Sequence, residues 1–554
     1  MLKPCVRLIV ISQLLLLSTQ YNRKLDNYTS AILPDLPPEH LKRFLNTFPK
    51  IRSECEQIKE CQNILKTFNN ISQVQGNEIS SAVKEGQEGG LCWGHEINCT
   101  RELRFQTPSC SGDHTGWVQS KEAQINTFYY QADFGYIQQQ INELLLMCEP
   151  KFLTDSSLEC NKYLKFCRGR NLLFDFRNLA ERAERIRYHM DVLNEGGIKG
   201  YCRFNKSLLT EELSHMGALQ SWSPELRNFV EADESIIKNE TMCDMVISTP
   251  TFLMKIDATY NMYHHFCDFF NLFATLFVNQ THPSAFDLNT QVIIWETYPY
   301  DSPFAVTFKA FSKNPVWTLD QVKGQRICFR NVVLPLLPRM IFGLYYNTPL
   351  IQGCEKSGLF RAFSEFILHR LRIPFHPPRR KIRITFLARR TKYRRVLNED
   401  ELIAQLASHE EYIVKRISFE RGLNFLEQLT ITRNTDILIG VHGAGLTHLL
   451  FLPDWAGVFE LYNCEDPNCY RDLARLRGVH YITWEKRHLV YPQDEGHHPE
   501  GGAHAKFTNY SFDGKEFARL VSKLANYVRN HKNYKEFINN ASPPPREPKD
   551  KEEL

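Results

Sequence analysis

Asp436-Ile-Leu-Ile-Gly-Val-His-Gly-Ala-Gly-Leu-Thr-His-Leu-Leu-Phe-Leu-Pro453 decides the fold. It opens as a buried strand, turns sharply through Gly440, Gly443 and Gly445, and continues as a short helix that Pro453 stops. A helix beginning directly after such a turn presents unpaired N–H groups and a positive dipole end, the chemistry that holds a phosphate. His442, Gly443, Ala444 and Gly445 are therefore candidate phosphate-binding positions. The plainer reading is a glycine turn that only packs helix on strand, and the neighbouring sequence argues against it.

Downstream, Val458-Phe-Glu-Leu-Tyr462 carries one acid in an apolar run. Glu460 is thus a candidate for holding ribose hydroxyls at the carboxyl end of a strand. Upstream, the strand-like Ile384-Thr-Phe-Leu-Ala388 leads into Arg389-Arg-Thr-Lys-Tyr-Arg-Arg395. No acid occurs between Glu365 and Glu399, and nine Lys or Arg fall within residues 379 to 395. A helix start at Asn398-Glu-Asp-Glu401 follows, which aims some of these arginines at the strand's carboxyl end and predicts a diphosphate site.

The second constellation is Asn261-Met-Tyr-His-His-Phe-Cys-Asp-Phe-Phe-Asn-Leu-Phe273. It reads as an aromatic helix with His264, Asp268 and Asn271 on one face. Such a stripe either faces solvent or lines a cleft. Lining a cleft, Asp268 with His264 or His265 would accept a proton from an attacking hydroxyl; the alternative is a structural His–Asp pair.

With 554 residues, 43% of them hydrophobic, the chain holds material for two or three packed domains, and a net charge of +4 names no partner. The ends point to a compartment. Lys3 and Arg7 precede the apolar run Leu8 to Leu17, which reads as a signal peptide over residues 1–20, and no later stretch is apolar enough to span a membrane. The final Lys551-Glu552-Glu553-Leu554 is similar to the address read by the endoplasmic-reticulum retrieval receptor. Eight sequons fit that lumen, at Asn27, Asn70, Asn98, Asn205, Asn239, Asn279, Asn509 and Asn540. These secretory features turn the basic segment away from nucleic acid as partner.

Sixteen cysteines suit the same oxidising compartment, and eleven lie before residue 244. Removal of Cys5 with the signal leaves an odd number, which requires at least one free thiol or an intermolecular bond, and Cys267 in its apolar helix is the candidate for the unpaired thiol. Close spacing predicts local bridges Cys92–Cys99, Cys160–Cys167 and Cys464–Cys469; zinc is the rival reading for the last pair, disfavoured because no second pair lies at ligand spacing nearby. From Asp244 onward, β-rich runs alternate with helical stretches, the pattern of parallel βαβ units, with Pro374, Pro377 and Pro378 as a linker between two blocks. The organisation read from this is signal 1–20, Cys-rich region 21–130, α/β domains over 131–375 and 376–535, and a disordered tail 536–554.

With these residues in view, the chain resembles glycosyltransferase family sixty-one, in its endoplasmic-reticulum branch acting on EGF-like domains. The resemblance rests on Asn261-Met-Tyr-His-His-Phe-Cys-Asp268, Leu336-Leu-Pro-Arg-Met340, Tyr346-Asn-Thr-Pro-Leu350, Gly358-Leu-Phe-Arg-Ala362 and Gly443-Ala-Gly-Leu-Thr-His448, and continues through Val458 to Asp466, Asp472 to Trp484 and Lys506 to Phe512. It implies an α/β fold of two facing Rossmann-like domains of the GT-B type, the first on the acceptor side and the second binding the donor. It also implies UDP-N-acetylglucosamine as donor, a Ser or Thr of a folded EGF-like domain as acceptor, and inversion to a β-linked sugar. The family pattern carries onto Arg389, Arg394, His442, Gly443 and Gly445, with Glu460 in the next strand.

One departure stands out: vertebrate members carry a D-x-D triplet in the segment matching Phe311-Ser-Lys-Asn-Pro315, where Lys313 and Pro315 replace both acids. Arginines, His442 and a helix N-terminus can carry diphosphate charge instead, so no metal or other cofactor is expected to be required. Glu552 in the address is a milder departure, expected to weaken retention. Two rival readings are a non-catalytic lectin or chaperone of EGF-like domains, and a transferase using another UDP-sugar such as a pentose.

Overall fold

A computed structural model describes residues 33–59, 61–62, 91–112, 118, 120–152, 154–179, 192–213, 217, 219–279, 283–340, 342–346, 348, 352–419 and 422–540. The expected signal peptide, Cys5, Asn27, Asn70 and the address Lys551 to Leu554 lie outside them.

The chain is mixed α/β. Its C-terminal part is a five-stranded sheet in which Ile382–Leu387 lies between Tyr412–Ile417 and Ile437–Gly440, followed by Gly457–Glu460 and His480–Thr483. Every pairing is parallel. In chain order the strands run 2-1-3-4-5, so strand order reverses between Ile382–Leu387 and Ile437–Gly440, the place where doubly wound sheets bind ligands. Alternation of side chains explains why these strands are apolar throughout: Leu438 and Val458 enter one core, while Ile437, Ile439 and Phe459 enter a second, on the other face. That second core is closed by the helix Gly514–Asn530, which buries Leu520, Val521 and Leu524 and is capped by Asp513. Gly457 makes the approach possible, since a Cβ there would lie 2.2 Å from Leu524 Cδ1.

The N-terminal part is built on an eleven-stranded mixed sheet. On one side of the long strand Arg326–Leu334, the strands Thr251–Met254, Gln291–Ile294 and Trp317–Thr318 run parallel to it, as the sequence predicts. On the other side Cys167–Asp175, Ser157–Cys160 and Leu145–Glu149 are antiparallel. These antiparallel strands fall inside the expected first α/β domain, 131–375, but before Asp244, where the parallel pattern begins. The six residues joining Ser157–Cys160 to Cys167–Asp175 are too few for a parallel crossover and enforce a hairpin.

The aromatic helix Met262–Val278 lies between the two sheets, with Asn261 accepting the Tyr263 N–H at its start. Phe266 packs on Phe363, Phe425 and Phe451, and Phe270 stacks on Phe360 with ring centroids 4.0 Å apart. One continuous core therefore reaches from the first sheet to the inner face of the second.

Cys92–Cys99 and Cys160–Cys167 are bridged, as spacing predicts, together with Cys55–Cys61, Cys110–Cys354, Cys148–Cys202 and Cys243–Cys328. The expected Cys464–Cys469 bridge is corrected: both thiols are free, as is Cys267. Cys464 and Glu465 adopt left-handed backbone, and the turn leaves the Cys464 sulfur with Tyr510 and the Cys469 sulfur with Tyr263. Sequence separation of five residues was therefore no guide to sulfur position.

Candidate active site

The glycine turn leaves the carboxyl end of Ile437–Gly440 and enters the 3₁₀ helix Ala444–Phe451. Its glycines divide the work. A Cβ on Gly440 would lie 3.3 Å from both Leu387 Cβ and Leu446 Cδ2, so this glycine serves packing of helix against strand. A Cβ on Gly443 would lie 2.4 Å from Arg389 Nη1 and 3.8 Å from Arg394 Nη1, so this one admits two guanidinium groups to the backbone. Gly445 meets only an ordinary contact, Leu387 Cδ1 at 3.7 Å. Arg394 Nη1 donates to the His442 carbonyl at 3.1 Å, and Arg389 Nε to the Tyr393 carbonyl at 2.9 Å. Arg394 Nε is buried without a hydrogen-bond partner, a charged donor left over beside the turn.

Arg389, Arg394, His442, Gly443 and Ala444 thus converge as the sequence indicated. Glu460 takes a different place. It is fully buried, its Oε1 accepts from His442 Nδ1 at 2.9 Å, and its other oxygen accepts the Tyr481 hydroxyl. Both oxygens are spent on protein groups, so Glu460 orients the His442 ring, with Nε2 turned outward, rather than facing open space. His448, from the same helix, is buried between the Gly445 carbonyl at 2.9 Å and Gln428 at 3.1 Å; burial pushes its imidazole down to about 4, and it stays neutral.

The aromatic helix brings its first turn toward the same region. Of the predicted stripe, Asp268 and Asn271 are buried rather than solvent-facing, and only His264 keeps partial exposure, 22% of its side chain. His265 is enclosed between Asp268 Oδ2 at 2.9 Å and the Tyr300 hydroxyl at 2.7 Å, and burial pushes it down to about 3. Asp268 also accepts the Asp257 backbone N–H at 3.1 Å. Asp257 Oδ2 in turn faces His264 Nδ1 at 2.8 Å and accepts Arg339 Nε at 2.8 Å, while Arg339 Nη2 lies 3.0 Å from the same His264 nitrogen and the guanidinium lies 3.7 Å over the Tyr346 ring. His265 and Asp268 therefore form an inner layer supporting an outer group of His264, Asp257 and Arg339.

Arg339 stood within the motif Leu336–Met340 without an assigned role, and Asp257 lay in no motif. The one signal for Asp257 was its position just beyond the strand Thr251–Met254, at the carboxyl end where ligands gather. Tyrosines link the outer group to the glycine turn: His264 to Tyr263 at 5.8 Å between ring centroids, Tyr263 to Tyr470 at 5.7 Å, and Tyr470 to His442 at 5.2 Å. A candidate phosphate-binding turn and a carboxylate-oriented histidine are thus joined by a chain of ring contacts, the equipment for displacing a phosphate leaving group by a deprotonated nucleophile.

The Phe311–Pro315 segment lies elsewhere. The Lys313 N–H donates to the Leu288 carbonyl and Asn314 Nδ2 to that of Thr290, both preceding Gln291–Ile294. That strand is parallel to and in register with Thr251–Met254, so the segment sits at the amino edge of the sheet and Asp257 at the carboxyl edge. Its residues do not fit a metal site for this cleft.

Among the sequons within the described residues, Asn98, Asn205 and Asn540 are exposed and Asn239 and Asn279 half-buried. Asn509 is the exception. It is 6% exposed, its Nδ2 donates to Gln493 at 2.9 Å and its Oδ1 accepts the Arg395 N–H at 3.0 Å, so no glycan fits on that nitrogen in the folded chain.

The family model described as Glycosyltransferase 61 matches residues 262–459, from the first residue of the aromatic helix to the strand that carries Glu460. The chain is 64% identical over 503 residues to the EGF domain-specific O-linked N-acetylglucosamine transferase of Drosophila melanogaster, covering 91% of this chain and 92% of that protein. It is 45% identical to the protein of the same name from Mus musculus and 44% to that from Gallus gallus, each over 90% of both chains. With its glycine turn and its carboxylate-oriented histidine inside the matched region, the chain belongs to glycosyltransferase family 61.

Proposed function

We propose that the chain transfers N-acetylglucosamine from UDP-N-acetylglucosamine to Ser or Thr hydroxyls of folded EGF-like domains, with inversion, in the lumen of the endoplasmic reticulum. The names of the relatives support donor sugar and acceptor. Six disulfides support a secretory lumen, and among the described residues no helix is long and apolar enough to cross a membrane. The C-terminal Lys-Glu-Glu-Leu supports retrieval by the receptor for such addresses.

The observation that carries the mechanism is the pairing of His264 Nδ1 with Asp257 at 2.8 Å on a partly exposed ring. In the tautomer whose Nδ1–H faces Asp257, Nε2 takes the acceptor proton as the oxygen attacks the anomeric carbon; Asp257, which also pairs with Arg339, then faces the imidazolium. Asp268 and His265 are positioning residues, holding the backbone of Asp257 and the first helical turn. Arg389, Arg394 and the turn's N–H groups take up charge on the departing UDP, and no metal step is derived because the segment that would supply acids lies at the other sheet edge.

His264→Asn keeps a donor near Asp257 and removes Nε2. With UDP-N-acetylglucosamine and a folded EGF-like repeat, kcat should fall about 10²–10⁴-fold while UDP affinity is kept. Near-normal turnover would refute the base assignment, and a mass increment other than N-acetylhexosamine on the repeat would refute the donor. Transfer should persist in EDTA; loss with EDTA and recovery with manganese would overturn the metal-free reading.

A further inference from the structure

His442, Asp466 and Cys469 place an imidazole nitrogen, a carboxylate oxygen and a sulfur within 4.8 Å of one another. Tetrahedral coordination of zinc needs such atoms about 3.3–3.8 Å apart, a closure within reach of side-chain rotation. We propose that these three groups form a binding site for a thiophilic divalent cation of the zinc class, and that the cation and the donor's diphosphate exclude one another. The second half rests on the donor-site reading above; the first does not.

The donor set is of the kind zinc takes, one nitrogen, one sulfur and one oxygen, with a fourth position left for water. The His442 ring already has the outer support typical of a metal-bound histidine, because Nδ1 faces the Glu460 carboxylate at 2.9 Å and Nε2 is left as ligand. Glu460 is itself held by the Tyr481 hydroxyl. The left-handed backbone at Cys464 and Glu465 turns the chain so that Asp466 comes to 3.8 Å from His442 Nε2. Cys469, the first residue of the helix Cys469–Arg477, bears a free thiol, whose proton leaves when the metal–sulfur bond forms. Lys506 Nζ sits 2.9 Å from Asp466 and is the resident cation that the metal must displace from that carboxylate.

Exclusion follows from the chemistry of Nε2. This nitrogen offers a proton to an anion or a lone pair to a cation, and cannot do both at once. A metallated His442 is lost to the diphosphate.

The test uses the full chain in two separate measurements. In the first, cobalt(II) alone is titrated without nucleotide, and thiolate-to-cobalt charge-transfer absorption is read. The band should appear in the wild type and in Cys464→Ser, and vanish in Cys469→Ser. Absence of the band in the wild type, or its persistence in Cys469→Ser, would overturn the site. In the second, UDP binding is measured with and without saturating zinc. Affinity should fall about tenfold or more in the wild type and change less than about twofold in Cys469→Ser. A zinc effect equal in both proteins, or tighter UDP binding with zinc, would overturn the exclusion while leaving the cobalt result to stand by itself. Cys469→Ser binding UDP like the wild type in the absence of metal shows that the variant is folded.

Discussion

At the scale of single residues, the site is a set of charged groups whose positions are fixed by backbone contacts. Arg394 shows this most clearly, with φ of 61°, one nitrogen on the His442 carbonyl and Nε buried without a partner. A non-glycine residue in left-handed backbone is held there by its surroundings, here by its N–H on the Thr508 carbonyl at 2.7 Å. Arg394→Lys keeps the charge but loses the fork that reaches the turn and an anion together. We expect this substitution to weaken UDP binding by about 1–3 kcal/mol, roughly 5- to 150-fold, with little change in the melting temperature. Isothermal titration with UDP checks it, and unchanged affinity would show that the guanidinium serves the fold alone. The arginine cluster was readable because its members lie within seven residues of one another and a strand precedes them. The group around His264 was not, because Asp257 lies before the helix, outside its periodicity, and Arg339 stands 82 residues from Asp257, brought to it by the pairing of the strands that precede them.

At the scale of elements, two helical segments each bury a histidine that sequence periodicity cannot distinguish from a reactive one. His265 belongs to the helix Met262–Val278 and His448 to Ala444–Phe451; burial holds the first down to about 3 and the second to about 4, against an ordinary 6.5. The sign follows directly. Between these values and 6.5 the unfolded chain binds protons that the folded chain refuses, so stability is complete above 6.5 and declines as pH falls toward 4 and then 3. Two pH units below 6.5, each histidine should remove about 2–3 kcal/mol. Urea midpoints measured at pH 7 and pH 4.5 should show the loss, and His448→Gln, which retains hydrogen-bonding capacity, should shrink it. Adjacent His264 and His265 look equivalent in sequence, yet a rotation of about 100° per residue sends one into the core and leaves the other at the cleft. The helix was legible, but which of its two histidines met solvent depended on the opposing Tyr300 and Phe308.

At the scale of the whole molecule, the two sheets share one apolar core. The parallel sheet, its glycine turn and its basic strand end were legible, since each signal is local and repeats at short range. The antiparallel side of the first sheet was not, and neither was the long-range bridge Cys110–Cys354, which joins residues 244 apart. That bridge sits where Ser109–Cys110 pairs antiparallel with Cys354–Glu355. The next residues, Lys356 and Ser357, donate their N–H groups to the carbonyls of Arg475 and Leu476, at the far end of the helix that begins with Cys469 and Tyr470. The N-terminal region is thereby clamped to the helix Cys469–Arg477, which lies between the last two strands of the second sheet in chain order. Replacing Cys110 and Cys354 together by Ser should cost about 2–5 kcal/mol of stability, the range for a native bridge closing a long loop. Because Lys356 and Ser357 hand the clamp on to Cys469–Arg477, hydrogen exchange should rise in that helix more than in the strand Ile382–Leu387, whose hydrogen bonds lie within the second sheet. Equal protection in both elements would mean that the donor half holds its shape without the bridge, and that the clamp serves the N-terminal region alone.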